Sequence, residues 1–124
     1  MELGFAFVGA VLAFASVALG AFGAHALKGK ISETMLEVFH TGAQYEMYHS
    51  LALVAVGIML RLGIGNSMVQ VAGWLFVVGI LLFSGSLYVL SITGRRGFGA
   101  ITPLGGLCFL GGWALFAIGV ALAM

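Results

Sequence analysis

Long apolar runs without a charged side chain constrain this chain more than any other feature of its sequence. They cover about residues 3–24, 68–92 and 103–124, and a fourth, less apolar stretch covers about residues 44–62. Each has about the 20 residues that a helix needs to cross a hydrocarbon core of about 30 Å. The sequence therefore predicts an all-α fold, an integral membrane four-helix bundle with four spans.

The composition supports this class and excludes others. Hydrophobic residues make up 62% and charged residues 7% of the chain, whereas soluble domains are roughly 25% charged. Four spans use about 85 residues and leave about 40 for connections and ends, so we expect one membrane domain over residues 1–124, embedded in the lipid bilayer. A net charge of +1 without a basic cluster excludes nucleic acid as a partner.

The segment of about residues 32–43 is the polar part of the chain. Apolar residues recur on one face of a predicted helix, and Glu33, Glu37, His40 and Gln44 mark another. Ser32 is the expected N-cap. We predict a separate amphipathic helix between spans one and two that lies flat at the headgroups, with a kink near Gly42. The alternative is that it leads straight into span two.

Turn and cap residues agree with four helices. Thr102 followed by Pro103 predicts an N-cap and the first helical residue of span four. Gly94 predicts a left-handed stop after span three. The short link 63–67, in which Asn66 or Ser67 can cap the next helix, makes spans two and three antiparallel neighbours.

Basic residues predict the orientation of the chain in the membrane. Lys28, Lys30, Arg95 and Arg96 fall on one side, and Arg61 falls on the other. Because short cytoplasmic loops carry an excess of lysine and arginine, we expect the loop with Lys28 and Lys30 and the loop with Arg95 and Arg96 to be cytoplasmic and both termini to lie outside.

Small residues predict close helix packing. Span one has Ser16, Gly20 and Ala24 at intervals of four, and span four places Ala117 and Ala121 in the same relation. In lipid, helices associate through such residues because their backbones can approach closely. Glycines lie on so many faces of spans three and four that we expect a homo-oligomer through Gly/Ala faces.

Seven polar side chains around span two form the candidate site. They are His25, His40, Gln44, Tyr45, Glu46, Tyr48 and His49. One interpretation is a solvated helix face with a histidine hydrogen-bonded among the helices. A second is a proton or ion path through Glu46 and His49, because ionisable groups within hydrocarbon are costly and usually functional. A third is a metal site from His25, Glu46 and His49.

Enzyme motifs are missing from the sequence. It has no aspartate, no GxSxG, no phosphate-binding GxxxxGK[ST] and no HExxH. Its single cysteine, Cys108, allows no intramolecular disulfide and no thiolate metal cluster. We therefore expect no enzymatic activity, no cofactor and no bound metal.

Several motifs together resemble one family of small membrane proteins. They are GAFGAHALK at 20–28, FHTGAQYEMYHSLAL at 39–53, GSLY at 85–88 with TG at 93–94, and ITPLGG at 101–106 with GW at 112–113. The chain resembles the domain of unknown function 423 family, which is similar to transmembrane protein 256 of eukaryotes. Glu46 stands where such sequences more usually carry glutamine. The resemblance implies a four-span protein of the bacterial inner membrane and names no catalytic residue.

The expected function follows from these observations taken together. We expect a non-enzymatic structural or interaction component of the membrane that forms a homo-oligomer. The alternative is a pathway for a small solute, an ion or a proton that uses histidine and glutamate near one membrane surface.

Overall fold

The computed structural model describes residues 2–124, and these residues form an all-helical fold. The helices are α1 (Glu2–Phe22), α2 (Glu33–Arg61), α3 (Ser67–Gly79), α4 (Gly85–Thr93) and α5 (Thr102–Ala123). A π-helical turn, Gly23–Leu27, extends α1, and a second, Ile80–Ser84, joins α3 to α4 without a break. A 3-10 turn, Arg96–Ala100, precedes α5.

Three helical runs are long and apolar enough to cross a membrane. They are Leu3–Leu27, Ser67–Thr93 and Arg96–Ala123. These runs contain the three charge-free stretches of the sequence, so their helical structure is confirmed. α2 is equally long, with 29 residues, but Glu33, Glu37, Glu46 and His49 make it more polar than the other three.

α1 and α2 pack antiparallel along their lengths, because small residues let the two backbones approach. A Cβ added at Gly57 would lie 2.5 Å from the backbone nitrogen of Ala6, and one at Gly9 would lie 2.9 Å from Leu53 Cβ. Near the other end, Gly23 meets the ring of Phe39. The loop between α1 and α2 therefore lies at the opposite end from the chain's first residues.

The same antiparallel packing relates the run Ser67–Thr93 to α2 and to α5. Gly42 of α2 contacts the ring of Tyr88, while Gly79 of α3 contacts the ring of Phe109 in α5. Lys28, Lys30, Arg95 and Arg96 consequently lie at one end of the packed helices, and Arg61 lies at the other. The main core forms where α2, α3 and α5 meet, and it includes Leu53, Val56, Val69, Phe76 and Phe109.

The predicted separation of an interfacial helix from span two is not observed in the structure. Residues 33–61 form one α-helix, with no helix boundary at residue 43 or at the expected kink. Phe39 is fully buried, because it packs between Gly23 and Tyr88. This contact holds the first turns of α2 against α1 and α4, so that they continue the helix instead of leaving the packed core.

Three predicted helix ends are confirmed and one is wrong. Ser32 Oγ accepts from Met35 N at 3.1 Å, Asn66 Oδ1 accepts from Met68 N and Val69 N, and Gly94 ends α4 with a φ of 71°. Thr102 is not the N-cap of α5, because Ile101 occupies that position and no side chain caps it. The Thr102 hydroxyl instead bonds the Ser86 hydroxyl at 2.6 Å. Pro103 does lie in the first turn.

Many of the small residues expected to form an oligomer pack within the chain instead. Five glycines of spans three and four leave no room for a Cβ because another helix contacts them: Gly73, Gly79, Gly105, Gly112 and Gly119. Ser16 is buried and its hydroxyl donates to the Ala43 carbonyl at 2.6 Å. Gly20, Gly85 and Gly106 have open space around them. The oligomer prediction therefore cannot rest on most of these glycines.

Candidate functional site

His49 is held between α2 and α5 by contacts to both ring nitrogens and to one ring face. Its Nδ1 lies 2.7 Å from the carbonyl oxygen of Tyr45, one turn earlier in α2. Trp113 Nε1 donates to its Nε2 at 3.0 Å. The imidazole also stacks on Phe109, with ring centroids 3.5 Å apart and an interplanar angle of 7°. The side chain is only 4% exposed.

These partners decide the tautomer of His49. A carbonyl oxygen only accepts hydrogen bonds, and an indole N–H only donates them. Nδ1 therefore carries the proton and Nε2 presents its lone pair, which is the neutral imidazole. With both nitrogens engaged, His49 joins α2 to α5 and has no free position for a further ligand.

Glu46 is buried on a different side of α2, against α4. Its side chain is 3% exposed, and Tyr88 Oη donates to its Oε1 at 2.7 Å. The backbone carbonyl of Glu46 also accepts from Ser50 Oγ. Within residues 2–124 no lysine, arginine or histidine forms an ion pair with this carboxyl group. The structure thus separates Glu46 from His49, although both lie in the same turn of helix.

A lateral groove between α2 and α5 extends from His49 and Trp113 towards Pro103, at the end of the molecule with the basic loops. Its volume is about 730 Å³, and its lining is almost entirely apolar. The residues that line it are Tyr45, Tyr48, His49, Phe83, Pro103, Gly106, Leu107, Phe109, Leu110 and Trp113. Aromatic rings form its floor, with Phe83 packed on Phe109 at 5.3 Å between centroids. We call this cavity the α2–α5 groove.

Of the remaining candidate residues, Tyr45 and Tyr48 line the groove, and His25, His40 and Gln44 lie apart from it. His25 is exposed in the π-helical turn after α1, and His40 lines a second cleft of about 410 Å³ with Lys28, Glu33 and Glu37. Gln44 and Tyr48 are exposed on the outward face of α2. Tyr45 is 37% exposed at the rim of the α2–α5 groove.

The metal site considered from the sequence is not assembled. Among residues 2–124 no three His, Cys, Asp or Glu side chains lie close enough to hold one ion. The register of the helices explains this, because Gly23 packs opposite Phe39. Glu46 lies seven residues further along α2, about 10 Å at 1.5 Å per residue. His25 is therefore near the start of α2, far from His49.

Sequence reasoning missed the partners that define the site. Tyr88 and Trp113 occur in the sequence analysis only within family motifs, and Phe109 does not occur there, yet these residues hold Glu46 and His49. The sequence feature that points to these partners is the tyrosine and tryptophan content of the spans, since an indole N–H or a phenol hydroxyl within hydrocarbon needs a hydrogen-bond partner. Which partner each one finds depends on helix rotation, which periodicity in one segment does not give.

Comparisons with known proteins agree on one family. Residues 19–106 match the family model described as "Protein of unknown function (DUF423)". The UPF0382 membrane protein YwdK of Bacillus subtilis (strain 168) is 50% identical over 92% of this chain and 93% of its own length. The UPF0382 membrane protein SH2409 of Staphylococcus haemolyticus (strain JCSC1435) is 45% identical over 92% of each chain.

A third relative is equally well covered. The UPF0382 membrane protein SAB0533 of Staphylococcus aureus (strain bovine RF122 / ET3-1) is 46% identical over 92% of each chain. No solved structure matches the chain. The family match covers more than half of the residues and includes His49 and the Glu46–Tyr88 pair, whereas Phe109 and Trp113 lie beyond it. The chain therefore belongs to the DUF423 family of membrane proteins.

Proposed function

We propose that this protein is a non-enzymatic interaction component of the bacterial inner membrane, a four-span bundle that assembles with copies of itself. The observation that carries the proposal is the outward face of α2. Gln44 is exposed on that face, and within residues 2–124 its amide has no hydrogen-bond partner. The inward residues Glu46 and His49, by contrast, are paired.

α2 serves as the fourth span in this proposal. Its 29 residues reach about 43 Å, which matches the thickness of a bilayer with its headgroups. Glu46, His49 and Ser50 in its middle are buried against other helices and are hydrogen-bonded there. Further along the helix the outward face is apolar, with Leu51 and Ile58 exposed. Such a helix is compatible with lipid although its mean hydropathy is lower than that of the other spans.

Gln44 lies too deep for its amide to be left without a partner. It is eleven residues from the start of α2 at Glu33, about 16 Å along the helix axis. A polar group at such depth without a partner is costly, and side chains of this kind hydrogen-bond across helices in membranes. An amide carries both donors and an acceptor, so two Gln44 side chains can pair with each other across a two-fold axis.

The spacing of the exposed residues fits a parallel contact between two copies of α2. Exposed side chains follow Gln44 at intervals of four, three, four and three: Tyr48, Leu51, Ala55 and Ile58. Alternation of three and four residues is the pattern of a left-handed helix pair. In a symmetric dimer each position meets its own copy, so the amide pair continues directly into an apolar seam.

Cysteine cross-linking in membranes tests this interface. In a Cys108→Ala background, Gln44→Cys and Ala55→Cys should each form a disulfide-linked dimer on oxidation. The matched control is Gln70→Cys, an exposed glutamine of α3 outside this face. In mild detergent, Gln44→Leu should weaken the dimer about fivefold, roughly 1 kcal/mol for one interhelical hydrogen bond. A monomeric mass with no cross-link above the control would refute the interface.

The orientation proposed for this bundle places the basic loops in the cytoplasm and both termini outside. Antiparallel packing puts Lys28, Lys30, Arg95 and Arg96 at the same end of the molecule, and the positive-inside rule assigns that end. Reporter fusions at the C-terminus, active only outside the cytoplasm, should give a signal. A reporter active only in the cytoplasm would reverse the assignment.

The second candidate function is a proton or small-solute pathway, and the burial of Glu46 favours it. A carboxyl group in the middle of a span, paired only with the Tyr88 hydroxyl among the described residues, is the kind of group that proton relays use. Proteoliposomes containing a pH-sensitive dye test the two functions directly. The interaction proposal expects no proton flux above empty vesicles. Flux that is lost in Glu46→Gln would replace it with the pathway.

A further inference from the structure

The α2–α5 groove has a rigid floor and an open wall. His49 is fixed by two hydrogen bonds and stacks on Phe109, so the floor does not depend on an occupant for its shape. On the α5 side, a Cβ added at Gly106 would meet nothing within 4 Å. A chain lying in the groove can therefore pass directly over the backbone of α5.

Tyr45 supplies a hydrogen-bond donor at the rim of this groove. Its ring is 37% exposed, and within residues 2–124 its hydroxyl has no partner. Side chains on a helix lean towards its N-terminus, which directs the phenol of Tyr45 towards the end with the basic loops. An occupant that satisfies this hydroxyl must carry an acceptor oxygen at that end.

The groove also leads towards positive charge. Pro103 and Gly106 belong to the first turns of α5, and the helical run that contains them begins at Arg96. Arg95 and Arg96 are both exposed. From Arg96 to Ile101 the 3-10 turn rises about 10 Å, at about 2 Å per residue. Arg95 and Arg96 therefore lie at the same end of the molecule as Pro103, which is the upper end of the groove, and at headgroup level in the proposed orientation.

We propose that the α2–α5 groove is a binding site for one anionic phospholipid. One acyl chain lies on the aromatic floor and over Gly106, an ester carbonyl accepts the hydrogen bond of Tyr45, and the phosphate lies near Arg95 and Arg96. One lipid molecule covers the apolar groove, accepts the hydrogen bond of the unpaired Tyr45 hydroxyl and places a negative charge at the basic end. The groove shares Tyr48 with the Gln44 face, but none of the lipid contacts proposed here uses Tyr48, so neither proposal depends on the other.

Fluorescence quenching by brominated lipids tests the site in the purified full-length protein. Trp74→Phe leaves Trp113, which lines the groove, as the single tryptophan. In detergent, phosphatidylglycerol with brominated acyl chains should quench Trp113 with saturation at about one lipid per chain. Brominated phosphatidylcholine should require a higher concentration. Removal of either arginine, by Arg95→Ala or Arg96→Ala, should weaken phosphatidylglycerol binding roughly fivefold.

Two glycine variants separate a specific site from general lipid contact. Gly106→Leu fills the groove and should abolish saturable quenching. Gly20→Leu, at an equally open position on α1, should leave it unchanged. Tyr45→Phe should weaken binding of both lipids, since both carry ester carbonyls. Quenching that does not saturate, equal midpoints for the two lipids, or an unaffected Gly106→Leu would each overturn the proposal. Loss of the dimer in Gly106→Leu, with no change in the saturable quenching, would assign the groove to the contact between two copies and would also overturn the proposal.

Discussion

The hydrogen bond between Trp113 and His49 predicts a measurable energetic coupling between α5 and α2. Trp113→Phe keeps an aromatic ring but removes the N–H that donates to His49 Nε2 at 3.0 Å. His49→Phe keeps a ring able to stack on Phe109 and removes the acceptor. Each single variant leaves one polar atom unpaired among apolar neighbours, at a cost of about 1–3 kcal/mol.

The double variant, His49→Phe with Trp113→Phe, measures how much of that cost comes from the interaction between the two side chains. With both polar atoms removed, no donor or acceptor remains unpaired, so the two losses should not add. Interhelical hydrogen bonds in membrane proteins contribute about 0.6 kcal/mol on average and up to about 1.7 kcal/mol. His49 is only 4% exposed, so we expect a coupling in the upper part of that range, roughly 1 kcal/mol.

The free energy of unfolding is measured for the original protein, the two single variants and the double variant. Each is unfolded in mixed micelles with increasing dodecyl sulfate, and circular dichroism follows its helicity. The matched control cycle pairs His49→Phe with Trp74→Phe. Trp74 packs edge-on against Phe5 and makes no hydrogen bond to another residue within 2–124, so that cycle should be additive. A His49–Trp113 coupling no larger than the control value would refute the role assigned to this bond.

Three further substitutions test the packing and the caps. Gly9→Leu should prevent native packing of α1 on α2, because even a Cβ there would lie 2.6 Å from the Ser50 carbonyl oxygen. The control Gly4→Leu should be tolerated, because Gly4 has open space around it. Thermal stability in detergent compares the two variants, and equal stabilities would contradict the α1–α2 interface. Asn66→Ala removes the cap of α3 and the 2.9 Å bond from Asn66 Nδ2 to the Gly119 carbonyl, so it should cost about 2 kcal/mol of unfolding free energy. Ser32→Ala should cost about 1 kcal/mol, measured by the same unfolding experiment, and a loss as large as that of Asn66→Ala would contradict the difference in their contacts.

Local features of this fold were predictable because their causes are local. A run of apolar residues long enough to cross a bilayer forms a helix, since a helix satisfies its own backbone groups in lipid. Ser32, Asn66 and Gly94 act within one turn of themselves, so each could be recognised from neighbouring residues. Thr102 shows the limit of this reasoning, because its hydroxyl found a partner on another helix, Ser86.

The boundary predicted within residues 32–62 shows a second limit. The polarity of Glu33, Glu37 and His40 correctly marked one face of a helix. It did not show whether that helix is separate, because Phe39 and Gly42 are held by α1 and α4. Contacts from distant segments therefore decided that the polar turns continue into α2.

The sequence by itself determined the solvent of this protein and the positions of its helices. The chain has too few charged residues to form a water-facing surface, and its apolar runs are long enough to span a bilayer. A membrane is therefore its suitable environment. Only the tertiary structure decided what the polar residues do. His49 meets Trp113 and Glu46 meets Tyr88 across separations of 64 and 42 residues. Such pairs depend on how each helix is rotated and registered against its neighbours. That arrangement follows from the combined packing of glycines and rings on all the helices, which no single segment specifies.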